Sequence, residues 1–114
     1  MNRPIKFRVW DFTIERFDTE IYQAGEQFGH PSSCDWMAQQ YTGCHDSANK
    51  EIYEGDIVEW GKLKYLVEWN DIAYKWQGRC PYYHSYHHPT TENFRDLMNG
   101  VIVGNIFETP ELLK

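Results

Sequence analysis

Between Asp56 and Asn70 the chain spells out two strands and the turn between them. Ile57-Val58-Glu59-Trp60 is interrupted by Gly61-Lys62, and beyond the interruption Tyr65, Val67 and Trp69 alternate with Lys64 and Glu68. A period of two puts the three apolar side chains on one face of an extended segment and the charges on the other. Glycine accepts the positive φ that a two-residue hairpin turn requires, so Gly61-Lys62 is the predicted turn. Asn70-Asp71 supplies the next turn signal.

The same period recurs at the start, where Phe7 and Val9 oppose Lys6 and Arg8, and predicts a half-buried strand over 6–10. Asp11-Phe12-Thr13 offers a turn, after which Ile14 to Phe17 reads as the returning hairpin partner. Residues 23–35 carry Gly25, Gly29, Pro31 and paired serines and read as a long loop. Trp36 to Thr42 is either a short strand or an irregular connection. Gly43 to Asn49 is turn-rich, and Gln77 to Thr90 reads as irregular. Thr91 is placed to cap a short helix bearing Phe94, Leu97 and Met98 on one side, ended by Gly100. Val101-Ile102-Val103 suits a buried strand, and Thr109-Pro110-Glu111 resembles a helix start. The expected class is mainly β: a small curved antiparallel sheet or partly open barrel, or two intertwined β subdomains, with one or two short helices.

Length and charge narrow the function classes. With 114 residues, no compositional break and no detectable repeat, the chain reads as a single domain. Aromatic residues make up 17% of it, enough for a modest core. Eleven basic and seventeen acidic residues give a net charge of −6, so the average surface repels phosphate and anionic lipid. No cationic-then-apolar leader opens the sequence, and no run approaches the roughly 20 apolar residues of a membrane span. Cys34, Cys44 and Cys80 are an odd number, read as reduced thiols. The expectation is a cytosolic protein without a membrane partner.

Four blocks of residues, taken in order, resemble the YopX family of small bacteriophage and prophage proteins. They are Lys6–Asp11 (Lys-Phe-Arg-x-Trp-Asp), Gln40–Asp46 (Gln-Tyr-Thr-Gly-x-x-Asp), Lys50–Val58 (Lys-Glu-Ile-Tyr-Glu-Gly-Asp-Ile-Val) and Gly104–Leu113 (Gly-Asn-Ile-x-Glu-x-Pro-Glu-Leu-Leu). The resemblance implies a mainly β fold spanning 1–114, a phage or prophage origin and a bacterial cytoplasm as the setting. It implies no biochemical activity, catalytic residue or cofactor. Asn49 stands where the family usually has glycine. That points to a left-handed backbone there, which asparagine tolerates best among residues with a side chain.

Several chemistries compete for the polar residues. Glu54 and Asp56 flank Gly55 and are either an acid pair for catalysis or a hard cation, or the lead-in to a strand. In the latter, Gly55 turns the backbone and Asp56 accepts nearby backbone N–H groups. The expectation is the strand lead-in, with no catalytic residue. Cys80, His84 and His87, with Cys34, Cys44, His45 and His88, include zinc ligand types, but no Cys-x-x-Cys pair anchors a site. A Cys/His nucleophilic dyad has no more support.

Between Gly61 and Arg79 four basic residues (Lys62, Lys64, Lys75, Arg79) outnumber Glu68 and Asp71. Tyr65, Trp69, Tyr74 and Trp76 are interleaved with them, a composition able to stack bases. Alternation places Tyr65 and Trp69 in the core, leaving Tyr74 and Trp76 as exposed stackers. The aromatic surplus and strand edges equally suit protein contacts. The favoured reading is a non-enzymatic binding or assembly module, self-associating or engaging a host or phage protein. Nucleic-acid binding through 61–79 is the alternative and a metal-dependent enzyme the remoter one.

Overall fold

The computed structural model describes residues 5–23, 36–85 and 88–113. The strands are β1 (Lys6–Asp11), β2 (Arg16–Gln23), β3 (Trp36–His45), β4 (Glu51–Tyr53), β5 (Asp56–Trp60), β6 (Leu63–Asn70), β7 (Lys75–Ser85), β8 (His88–Asn93) and β9 (Val101–Asn105). One helical turn, α1 (Phe94–Leu97), and a 3-10 turn, Pro110–Leu113, complete the described chain. The strands form a four-stranded sheet in the order β2-β1-β3-β4 and a five-stranded sheet in the order β8-β7-β6-β5-β9. All strand pairs are antiparallel.

The hairpin expected at 56–69 is present, with Trp60 opposite Leu63 across Gly61-Lys62. Gly61 takes a φ of 65° and Lys62 does not turn positive, the pattern of a turn with glycine at its first central position. Asn49 is left-handed at 66°, as the family comparison in the sequence implied.

Two other hairpins share one loop design that the sequence did not announce. In β1–β2, Asp11 Oδ1 accepts the N–H of Thr13 at 2.8 Å, and the loop leaves through Glu15 at φ 55°. In β6–β7, Asn70 Oδ1 accepts the N–H groups of Ile72 at 2.9 Å and Ala73 at 3.0 Å, and the loop leaves through Tyr74 at φ 53°. An aromatic pair braces each neck edge to face: Trp10–Phe17 at 5.0 Å and Trp69–Trp76 at 5.2 Å. Aligned on these features, Trp-Asp-x-x-x-Glu-Arg-Phe and Trp-Asn-x-x-x-Tyr-Lys-Trp are the same device. An Asx side chain mimics a backbone turn, and one left-handed residue lets the chain return.

The core lies on one face of the five-stranded sheet. Val58, Tyr65, Val67 and Cys80 pack there with Ile52 of β4, and Phe94 and Leu97 of α1 cover them. Gly78 makes room for that cover, since a Cβ on it would sit 2.1 Å from Leu97 Cδ1. On β5, Asp56, Ile57 and Val58 are all buried, so this strand is covered on both faces. Burying an aliphatic side chain of this size contributes roughly 1.5–3 kcal/mol.

Of the two alternatives for Trp36 to Thr42, the strand is present, as part of a ten-residue element that runs to His45. Other expectations are corrected. Residues 77–85 and 88–90, expected to be irregular, lie in β7 and β8, with a shifted register between Cys80 and His84. Thr91 pairs with Arg79 in that ladder instead of capping α1. Trp69 shares the parity of Tyr65 and Val67 but lies beyond the end of the core, 41% exposed, while Trp76 packs against the core's margin. The long loop read over 23–35 falls, apart from Gln23, outside the described residues. No helix among the described residues is long and apolar enough to cross a membrane.

Candidate functional site

The Glu54-Gly55-Asp56 segment is where the chain crosses from one sheet to the other, leaving β4 and starting β5. Three backbone bonds sew the crossing down. The N–H of Glu54 reaches Gln40 O at 2.9 Å, that of Gly55 reaches Val67 O at 2.9 Å, and Gly55 O accepts Ile106 N–H at 2.9 Å. Gly55 takes φ 86°, and a Cβ there would fall 2.0 Å from Gln39 Nε2. The dihedral requires glycine, and a Cβ would in addition displace the Gln39 amide.

Asp56 is 2% exposed and fully engaged. Its Oδ2 accepts the Tyr53 N–H at 2.8 Å, closing the turn as expected. Its Oδ1 takes the Arg8 guanidinium at 2.5 Å and the Asn105 amide at 3.3 Å. Gln39 Oε1 bridges the same two donors, Arg8 Nε at 3.0 Å and Asn105 Nδ2 at 3.2 Å. Arg8 also lies over the rings of Phe17 at 4.3 Å and Tyr53 at 4.6 Å. The face of β1 that alternation assigned to solvent therefore looks into a buried ion pair.

Sequence reasoning found Asp56 but missed Arg8, Gln39 and Asn105. The ion-pair partner lies 48 positions away, and no local pattern encodes it. Three of the four blocks that carry the family resemblance, through Arg8, Asp56 and Asn105, converge here. The fourth contributes Asp46, whose carboxylate fastens the 46–50 loop onto the start of β9.

Glu54 is engaged with β3, its Oε1 accepting the Gln40 N–H at 3.2 Å. Beside the junction, burial first and then the Glu51 charge push the Tyr53 hydroxyl up to about 12, with Arg8 opposing them. Burial and Glu51 likewise raise Tyr41. These are neutral, proton-retaining phenols. No buried side-chain nitrogen or oxygen among the described residues lacks a hydrogen-bond partner. The geometry is that of a hydrogen-bonded polar joint between the two sheets.

Among the described residues no three His, Cys, Asp or Glu side chains gather as metal ligands do. Cys80 is wholly buried against the core, and Cys44 packs at the core's edge. The side chains of Cys34, His84, His87 and His88 lie outside the described residues.

In the basic segment 61–79, Lys64 pairs with Glu59 at 3.5 Å and Arg79 with Glu68 at 2.9 Å. Lys62 and Lys75 remain as its unpaired cations among the described residues. What the segment does display is apolar: Ile72 is 92% and Tyr74 78% exposed at the β6–β7 tip. The β1–β2 tip repeats the display with Phe12 and Ile14. Beside that tip an open hollow of about 520 Å³ is lined by Trp10, Phe12, Glu15, Ile106, Phe107 and Glu108.

The sequence matches the family described as YopX protein over residues 6–114. A crystal structure of protein EF1440 from Enterococcus faecalis superimposes with a TM-score of 0.63 at 19% identity, covering 96% of this chain and 98% of that one. At that identity the likeness is one of fold. No functionally curated protein is similar enough to this chain to count as a match.

Proposed function

This chain belongs to the YopX family, and from that premise we propose that it is a small non-enzymatic binding or assembly module acting through protein–protein contacts. The carrying observation is the pair of matched hairpin tips. Each holds large apolar side chains in solvent on a loop stiffened by an Asx turn and an aromatic neck. Ile72 at 92% and Tyr74 at 78% exposure gain nothing from the fold by standing there. Presented on a rigid loop, they lose little conformational freedom when a partner covers them, the circumstance in which tyrosine anchors bind best.

The proposal extends to a phage or prophage origin, a bacterial cytoplasm and self-association through uncovered apolar surface. The nucleic-acid reading is weakened because Lys64 and Arg79 already have carboxylate partners. The test is affinity purification from the bacterial host, with light scattering of the purified chain alongside it. Parent protein should retain a stoichiometric protein, a second copy of itself included, and the Ile72→Ser/Tyr74→Ser variant should lose it while melting as the parent does. A mass of 13.6 kDa for the purified chain rules out the second copy. Equal recovery by parent and variant overturns the tip reading. A salt-dependent shift of labelled oligonucleotides, lost on Lys75→Ala with Trp76→Ala, would replace it with nucleic-acid binding.

A further inference from the structure

Beside the β1–β2 tip, three aromatic rings and two carboxylates close on one hollow. Trp10 and Phe107 stack at 5.4 Å and 16°, and Phe12 meets Phe107 edge to face at 5.2 Å and 84°. Phe12 is 44% exposed, so part of this aromatic wall faces the opening. Glu15 and Glu108 line the same hollow, both exposed and neither with an ion-pair partner among the described residues. Aromatic faces carry negative potential, and carboxylates beside them deepen it, so the space favours a cation that is weakly hydrated and flat enough to stack.

The protein already uses this combination internally. The Arg8 guanidinium sits over Phe17 and Tyr53 with the Asp56 carboxylate against its edge. Phe17 in turn meets Trp10 edge to face, so the buried cation site and the open hollow are the inner and outer layers of one cluster of contacting rings. The inner layer is filled by the chain's own arginine. The outer layer holds the same kinds of group and, among the described residues, no paired cation.

We propose that the hollow lined by Trp10, Phe12, Phe107, Glu15 and Glu108 is a recognition pocket for an arginine side chain presented by a partner protein. This rests on the protein-binding reading above and names the chemistry of one anchor of the partner. Charge complementarity selects that occupant: the pocket is anionic, in a chain of net charge −6, and the hollow is open enough for a side chain to enter from a neighbouring surface. An arginine reaching in would place its guanidinium against the exposed Phe12 ring and donate to Glu15 and Glu108.

The test uses a short glycine-flanked arginine peptide and its citrulline counterpart, which keeps the shape and removes the charge. Binding is read from backbone amide and indole resonances of the intact chain. The arginine peptide should shift the Trp10, Phe12 and Phe107 resonances. The citrulline peptide should bind about tenfold more weakly, and Glu15→Gln/Glu108→Gln should weaken arginine binding by about the same factor. Asp71→Asn/Glu111→Gln, which removes two charges elsewhere, should stay within about twofold of the parent.

The proposal is overturned if the pocket resonances do not move, if citrulline binds as well as arginine, or if the two double variants weaken binding equally. Its failure is separable from failure of the protein-binding reading. Ile72 and Tyr74 lie on the other hairpin, and their variant reports on partner capture whatever occurs at Glu15 and Glu108.

Discussion

Both carboxylate oxygens of Asp46 are taken up by backbone N–H groups. Oδ1 accepts Ala48 at 2.9 Å and Lys50 at 2.8 Å, and Oδ2 accepts Ile102 at 2.9 Å. Burial pulls this carboxyl upward. The N–H groups of Ile102, Lys50 and Ala48, joined by the Lys50 charge, outweigh burial and hold it below its ordinary value of 3.8. The folded chain therefore binds this proton less readily than the unfolded one. The stability it contributes is complete above the ordinary value and is lost as pH falls through the lowered native one. Asp46→Ala should cost on the order of 2–3 kcal/mol at neutral pH, as loss of bonds to a charged acceptor does. It should also flatten the acid limb of melting temperature against pH. An acid limb as steep as the parent's would show that another carboxylate governs it.

At the scale of elements, the turn between β4 and β5 depends on a residue without a side chain. Gly55→Val would have to hold a β-branched residue at φ 86° and place its Cβ inside the Gln39 amide. The cost should exceed about 1 kcal/mol, read as a lower denaturation midpoint at unchanged slope. A variant as stable as the parent would mean that the crossing can be rebuilt. This turn was legible in the sequence, as was the 56–69 hairpin, because glycine and alternation act locally.

β7 and β8 were not legible, because residues 77–90 carry Pro81 and no alternation. Their strand character comes from ladder pairing, β7 with β6 and β8 with β7, which the composition of the two segments does not announce. The two matched loops escaped notice for a different reason. They share geometry at the Asx and left-handed positions while their intervening residues, Phe12-Thr13-Ile14 and Asp71-Ile72-Ala73, have nothing in common. The helix start read at Thr109-Pro110-Glu111 is present as the 3-10 turn, with Thr109 O accepting the Leu112 N–H, while Thr109 Oγ1 accepts the Asn105 N–H at 3.0 Å and binds the turn back to β9.

Across the whole molecule, two sheets are fastened at one buried polar joint. Arg8 of β1 and Gln39 of β3 meet Asp56 of β5 and Asn105 of β9, and the Lys6–Glu51 ion pair adds a tie between β1 and β4. An ion pair with side chains 16% and 3% exposed has shed most of its water. Breaking it by removing one partner leaves the other buried and uncompensated, a loss of about 3–5 kcal/mol. The central proposal is that this joint holds the sheets together as a structural ion pair. Thermal melts of the parent, Asp56→Ala, Asp56→Asn and Glu54→Gln, each with and without divalent cations, test it directly. The account predicts a large loss for Asp56→Ala, a smaller one for Asp56→Asn, almost none for Glu54→Gln, and no dependence on the cation. A cation-dependent rise in the parent's melting temperature that Asp56→Asn abolishes would make Asp56 a metal ligand and contradict the account.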